Sequence, residues 1–183
     1  MPLETGKILV IGDSWADKGW PEIMGIPESL RQGVSGSSAA QWAADYRGYL
    51  TRAKQTDADT VIVSLGGNDL RAAATDGRAS LAEVNNGLRA MRIVLEAVQR
   101  LLTIVILYTD PYCGRNAQSR IGVPALNGLI RWAGAALPIF YADLGEWLTA
   151  EHFDGVDFHP TGAGYVVIAE RMQKLVGSIS YAR

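Results

Sequence analysis

Cysteine is nearly absent from this chain. Cys113 is the single thiol among 183 residues, so no internal disulfide can form, and a reducing compartment fits. Histidine is almost as scarce: the two present, His152 and His159, stand in no HExxH or paired-cysteine spacing, which argues against a zinc centre. No apolar run approaches the ~18 residues needed to span a bilayer. The stretch Met1 to Lys7 lacks a basic segment followed by an apolar one, so the chain reads as cytoplasmic, although a secreted form trimmed of its signal would read the same way. Charge of one sign is lacking too. A formal net charge of −2 with 20 % charged residues gives no bulk attraction for nucleic acid or an anionic membrane. There is no Lys-Ser/Thr of a Walker loop, no complete Gly-x-Gly-x-x-Gly fingerprint, no internal repeat and no linker.

What is present is apolar and ordered in short runs. Apolar residues make up 48 % of the chain, and 183 residues suffice for one well-buried domain, 1–183, but not for two ordinary ones. Ile8 to Ile11 reads as a strand buried on both faces, and Gly12-Asp13-Ser14 breaks it, delivering the Ser14 hydroxyl at its carboxyl end. Trp20 to Met24 reads as a Pro-interrupted surface segment, and Leu30 to Val34 as a weak second strand. Ala39 to Gln55 has the spacing of one helix. Asp59 to Leu65 is a β-branched strand stopped by Gly66-Gly67-Asn68-Asp69. A long helix follows, with Ser80 as its N-cap and Leu81, Val84, Leu88, Met91, Leu95, Val98 and Leu102 on one stripe. Thr103 to Tyr108 predicts a fourth strand, broken at Asp110-Pro111 and followed by a polar loop, Gly114 to Gly122. Val123 to Leu137 predicts a helix opened by Pro124 near its first turn, and Pro138 to Ala142 a fifth strand. Tyr165, Ile168, Met172, Val176 and Ile179 mark a last amphipathic helix. Strand and helix alternate with short connections, which predicts an α/β fold: a parallel sheet covered by helices on both faces.

In such a sheet the loops after different strands converge on one edge. That edge would gather Gly12-Asp13-Ser14, Val34-Ser35-Gly36, Gly66 to Asp69, Asp110-Pro111-Tyr112 and the segment Asp154 to Pro160. Together they hold what acyl transfer requires. A serine hydroxyl becomes a nucleophile when an imidazole takes its proton and a carboxylate holds the other ring nitrogen. The oxyanion of the tetrahedral intermediate needs preorganised donors, which a glycine N–H and an asparagine amide can supply. Ser14, His159, Gly36 and Asn68 fit these roles in turn.

The chain at this point resembles the GDSL or SGNH hydrolases. Gly12-Asp13-Ser14 looks like the family's first block, Val34-Ser35-Gly36 its second, Gly66-Gly67-Asn68-Asp69 its third, and His159-Pro160 with Gly164-Tyr165 its last. The blocks stand in the family's order from Gly12 to Tyr165. The resemblance implies a flavodoxin-like three-layer fold with a five-stranded parallel sheet, and ester hydrolysis without metal or other cofactor. It implies Ser14 as nucleophile, His159 as general base and acid, and the Ser14 N–H, Gly36 N–H and Asn68 amide as oxyanion donors.

Two departures stand out. Trp15 replaces an aliphatic residue the family often has after its serine. The family's acid usually lies three residues before its histidine, where this chain has Val156. Asp157, two residues before His159, is preferred over Asp154, five before; a backbone carbonyl orienting a Ser–His dyad is the third arrangement. Trp15, Leu70, Tyr112 and Phe158 would line a compact, partly aromatic pocket suited to short acyl groups. By family analogy the partner is a small ester or an acylated carbohydrate, with a lysophospholipase or thioesterase as the next reading.

Other residues read as structural. Asp13 and Asp69 would brace their turns, His152 belongs to no block, Cys113 would be inert or pocket-lining, and Arg71 would solvate its loop. A binding module on the same fold remains the alternative of a different class, taking a phosphorylated ligand at Gly33 to Ser38 or a carbohydrate on Trp15, Trp42 and Tyr112.

Overall fold

A computed structural model describes residues 7–69, 81–109, 117–155 and 158–181. Its centre is three strands with every residue buried: β1 (Ile8–Gly12), β3 (Thr60–Ser64) and β4 (Leu102–Leu107). Runs such as Thr-Val-Ile-Val-Ser are apolar on both sides because helices cover both faces. The edges are β2 (Arg31–Gly33) and β5 (Ile139–Asp143), both less buried. All pairings are parallel, in the order β2-β1-β3-β4-β5.

That order places the helices. Right-handed crossovers put connections that step one way along the sheet on one face and those that step the other way on the opposite face. From β1 to β2 the chain runs through α1 (Ser14–Asp17) and α2 (Trp20–Ile23). It then reverses direction to β3 through α3 (Ala39–Ala43) and α4 (Tyr49–Lys54), and continues through α5 (Leu81–Val98) and α6 (Ala117–Ala133). After β5 come a short helix α7 (Leu144–Trp147) and the long α8 (Gly162–Tyr181). The packing agrees: α5 lies against α3, α4 and α6, while α8 lies against α2 and α7. Loops part to opposite faces after β1 and β3, which makes the carboxyl ends of these strands the topological switch point, where open α/β sheets form their sites.

Several expected elements differ. Trp20 is not on a surface: it is 1 % exposed, and its indole N–H donates to the Trp15 carbonyl at 2.6 Å. Pro21 sits in the first turn of α2, where a missing N–H costs nothing, so it starts a helix. The expected helix from Ala39 to Gln55 is broken in two, because Asp45, Arg47 and Gly48 adopt left-handed backbone angles between α3 and α4. Leu81 is exposed, and Leu102 belongs to β4, so the buried stripe of α5 runs from Leu88 through Met91 and Leu95 to Val98. Helix α6 begins at Ala117, which leaves Pro124 inside it, short of one backbone donor, instead of near its first turn. The proposed N-cap Ser80 lies outside the described residues. Among the described residues no helix is long and apolar enough to cross a membrane.

Candidate active site

The site begins where β1 stops. Gly12 pairs with Ser64 of β3 and Gly33 of β2, and its φ of +146° is one that side-chain-bearing residues rarely adopt. A Cβ there would stand 2.1 Å from the Ser64 carbonyl oxygen. Glycine is therefore the residue that lets the chain turn sharply out of a fully packed strand.

Asp13 is the N-cap of α1. Its Oδ1 accepts from the Trp15 N–H at 3.0 Å, and its carbonyl accepts from the Ala16 and Asp17 N–H groups at 3.1 Å each. The carboxylate is 2 % exposed and takes two more donors, the Ser64 hydroxyl at 3.2 Å and the Tyr108 hydroxyl at 2.7 Å. Burial outweighs these bonds and pushes its pKa up to about 6. The brace expected of Asp13 thus reaches well beyond its own turn. Ser14 follows at the first helical position, 8 % exposed.

The loops after β2 and β3 are tied to this turn and to each other. Val34 N–H donates to the Gly12 carbonyl at 2.8 Å, and the Ser37 hydroxyl donates to the same oxygen at 3.0 Å while accepting from the Trp42 indole N–H. Gly36 has a left-handed φ of +78°, and a Cβ there would meet nothing within 4 Å. Conformation, and not close approach, is what calls for glycine at position 36. Asn68 donates one amide N–H to the Ser37 carbonyl at 2.7 Å. Asp69 reaches across to the start of α3, accepting from the Ala39 and Ala40 N–H groups at 2.6 and 2.9 Å.

His159 arrives on the loop before α8. Its Nε2 lies 2.8 Å from Ser14 Oγ across 145 residues of sequence. The ring is half-buried between two aromatics, Phe158 with centroids 4.0 Å apart and Trp15 at 5.9 Å. Trp15 itself is 5 % exposed and stands edge-on to Tyr108, so its indole supports the imidazole more than it walls an open pocket. The loop is anchored at His152, whose carbonyl accepts from the Thr161 N–H at 2.8 Å and hydroxyl at 3.2 Å, and whose Nδ1 accepts from the Thr149 N–H at 2.9 Å.

Ser14 at the start of α1 and His159 on the loop before α8 are thus in contact, with Phe158 beside the imidazole, and Gly36 and Asn68 stand on the loops after β2 and β3 that are tied together through Ser37. Asp154 is exposed on the loop leading to His159. Asp157, Leu70, Tyr112, Arg71 and Cys113 lie outside the described residues. Sequence reasoning missed Tyr108, Ser64, Ser37 and Asn127. Ser64 ends β3, Tyr108 follows β4, Ser37 lies on the loop after β2 and Asn127 on α6; a polar residue closing an apolar strand was the signal available for the first two. Among the described residues no three His, Cys, Asp or Glu side chains gather as a metal site requires. A serine hydroxyl bonded to an imidazole beside backbone and amide donors can carry out nucleophilic acyl transfer.

A sequence model of the GDSL-like lipase/acylhydrolase family matches residues 10–167. No curated protein sequence matches significantly. Among solved structures the fold is similar to that of Axe2, an acetylxylan esterase from Geobacillus stearothermophilus, at 15 % identity, 97 % of each chain covered and a TM-score of 0.71. Structures of Axe2 described as catalytic mutants replace a serine, a histidine or an aspartate by alanine. LAE5, an alpha/beta hydrolase from the metagenome of Lake Arreo, Spain, is similar at 17 % identity, with 94 % of this chain and 95 % of that one covered and a TM-score of 0.69.

Proposed function

Since the chain belongs to the GDSL-like lipase/acylhydrolase family and is a carboxylic ester hydrolase, we propose that it cleaves short-acyl esters, acetyl esters of carbohydrates foremost, through an acyl-enzyme on Ser14. The observation that carries this reading is the 2.8 Å contact between Ser14 Oγ and His159 Nε2 at the switch point of the sheet. His159 Nε2 takes the hydroxyl proton as Oγ attacks the ester carbonyl carbon. The carbonyl oxygen, now an oxyanion, meets the Ser14 N–H, the Gly36 N–H and the Asn68 amide. Collapse breaks the bond to the alcohol oxygen, which leaves with the proton held by His159. Water then repeats the sequence on the acyl-serine, yielding the free acid and the original hydroxyl.

The donors support this assignment. In α1 the Trp15, Ala16 and Asp17 N–H groups already have acceptors, and among the described residues the Ser14 and Gly36 N–H groups have none. One N–H of Asn68 is committed to Ser37, which orients the amide and leaves its second N–H for an oxyanion. For the carboxylate that orients His159, Asp157 is proposed ahead of Asp154; an aspartate among the catalytic mutants of Axe2 favours a carboxylate over a backbone carbonyl. One of Asp157→Asn and Asp154→Asn is expected to lower turnover by about 10⁴-fold with the other near neutral, and equal small losses would leave a dyad. Carbohydrate acetyl esters are put first because Axe2 is an acetylxylan esterase and because Trp15 and Phe158 crowd the imidazole. Leu70 and Tyr112 are proposed to complete the acyl pocket.

Intact mass before and after exposure to a fluorophosphonate, followed by peptide mapping, tests the reading. One adduct on Ser14, lost in His159→Ala, is the expected result, with rates on aryl esters falling steeply beyond about four acyl carbons. No adduct under conditions that label a control serine hydrolase would overturn it.

A further inference from the structure

Tyr108 stands one residue beyond β4 and is 5 % exposed. Two contacts fix its backbone: its N–H donates to Asn127 Oδ1 at 2.9 Å, and its carbonyl accepts from Asn127 Nδ2 at 2.8 Å. The ring packs edge-on to Trp15 at a centroid distance of 5.7 Å. Its hydroxyl is the more informative part, since a buried phenol oxygen is costly unless fully bonded. It donates to Asp13 Oδ2 at 2.7 Å and lies 3.3 Å from the Ser64 hydroxyl, and the Gly67 backbone is packed against it. The hydroxyl is therefore bonded to the residue before Ser14 and packed against the residue before Asn68.

There is no slack in that contact. A Cβ on Gly67 would stand 3.2 Å from Tyr108 Cζ, 3.3 Å from its hydroxyl and 3.4 Å from Asp13 Oδ2. The third loop is seated directly on the Asp13–Tyr108 pair. Asn68 has its own tether at the other side, through Ser37. We propose that Tyr108 is a positioning residue whose hydroxyl locks the Asn68 loop to the Ser14 turn, holding the Asn68 amide where the oxyanion forms. The inference rests on the serine-esterase reading above, and its test separates the two.

Tyr108→Phe keeps the ring, its burial and its contact with Trp15, and removes the hydroxyl. On a short-chain aryl ester, kcat is expected to fall about 10-fold with KM little changed, since the lost alignment matters in the transition state. The fluorophosphonate still gives one adduct on Ser14, more slowly. If wild type gives no adduct, the esterase reading fails; if both proteins give one, only the role of Tyr108 is in question.

A purely structural tyrosine would also lower activity, so the decisive measurement is a double-mutant cycle with Asn68→Ala. That single change should cost about 10²-fold or more in kcat. In its background Tyr108→Phe should then cost no more than about 2-fold, because the amide it aligns is gone. Full additivity of the two losses overturns the proposal, as does an unchanged kcat in Tyr108→Phe. The pH profile gives a further readout. Asp13 is faced by the Tyr108 and Ser64 hydroxyls and by the charge of Asp69, and the Tyr108 bond draws its pKa down against burial. Removing that bond should move the part of the acidic limb due to Asp13 to higher pH. Where Tyr108→Phe does not fold, Gly67→Ala, whose Cβ would press at 3.3 Å on the Tyr108 hydroxyl and lift the Asn68 loop from it, replaces it in the same cycle with the same two outcomes.

Discussion

The serine side and the histidine side of the site are held by contacts of different reach. Around Ser14, Asp13 is bonded to Ser64 and Tyr108, 51 and 95 residues away, and Asn68 to Ser37, 31 residues away. Around His152, at the root of the His159 loop, the bonds to Thr149 and Thr161 span 3 and 9 residues. The first set is built from the ends of β1, β3 and β4, so it forms only when the sheet has its register. The second is local, and the aromatic faces of Phe158 and Trp15 seat the imidazole. Ser14 Oγ and His159 Nε2, 2.8 Å apart, are therefore delivered by a floor of strand ends and a locally folded arm.

Perturbing each side should expose this asymmetry. The largest effect belongs to the floor: Gly12→Ala puts a Cβ 2.1 Å from the Ser64 carbonyl at a φ of +146°. It should cost more than about 4 kcal/mol in urea unfolding or prevent folding outright. Next is Asp13, whose pKa of about 6 lies above its ordinary 3.8 because it is buried. The folded state holds that proton more tightly, so this contribution to stability is complete below pH 3.8 and is lost as pH rises through about 6. The loss amounts to about 3 kcal/mol, and Asp13→Asn should abolish it, seen as a flatter dependence of unfolding free energy between about pH 4 and 7. Smallest is the arm, where Thr161→Val removes the hydroxyl bond to the His152 carbonyl and should cost about 1 kcal/mol with little change in pH dependence. A larger loss from Thr161→Val than from Gly12→Ala would invert the comparison.

The same asymmetry explains what was legible in the sequence. The β-branched run from Thr60 to Ser64 and the Gly12-Asp13-Ser14 break announce themselves locally, because strand burial and a sharp turn each leave a composition signal. Ser14, Gly36, Asn68 and His159 stand out as candidates because their residue types suit acyl transfer, and the parallel topology is what brings Ser14 and His159 into contact. Tyr108 is not, since nothing in the segment Leu107-Tyr108-Thr109 tells that its hydroxyl will meet Asp13. Trp20 is obscured for a nearer reason: Pro21 beside it looks like an interruption until the turn it begins is seen. The break between α3 and α4 depends on left-handed angles at Asp45 and Arg47, which side chains seldom adopt and periodicity cannot register.

The span between Ser14 and His159 has a consequence for how the protein is made. Synthesis runs from the amino terminus, so Ser14 is made 145 residues before His159, and Asp13 beside it 95 residues before Tyr108. On the proposed mechanism, the Ser14 hydroxyl stays unactivated until the loop that carries His159 has been synthesised.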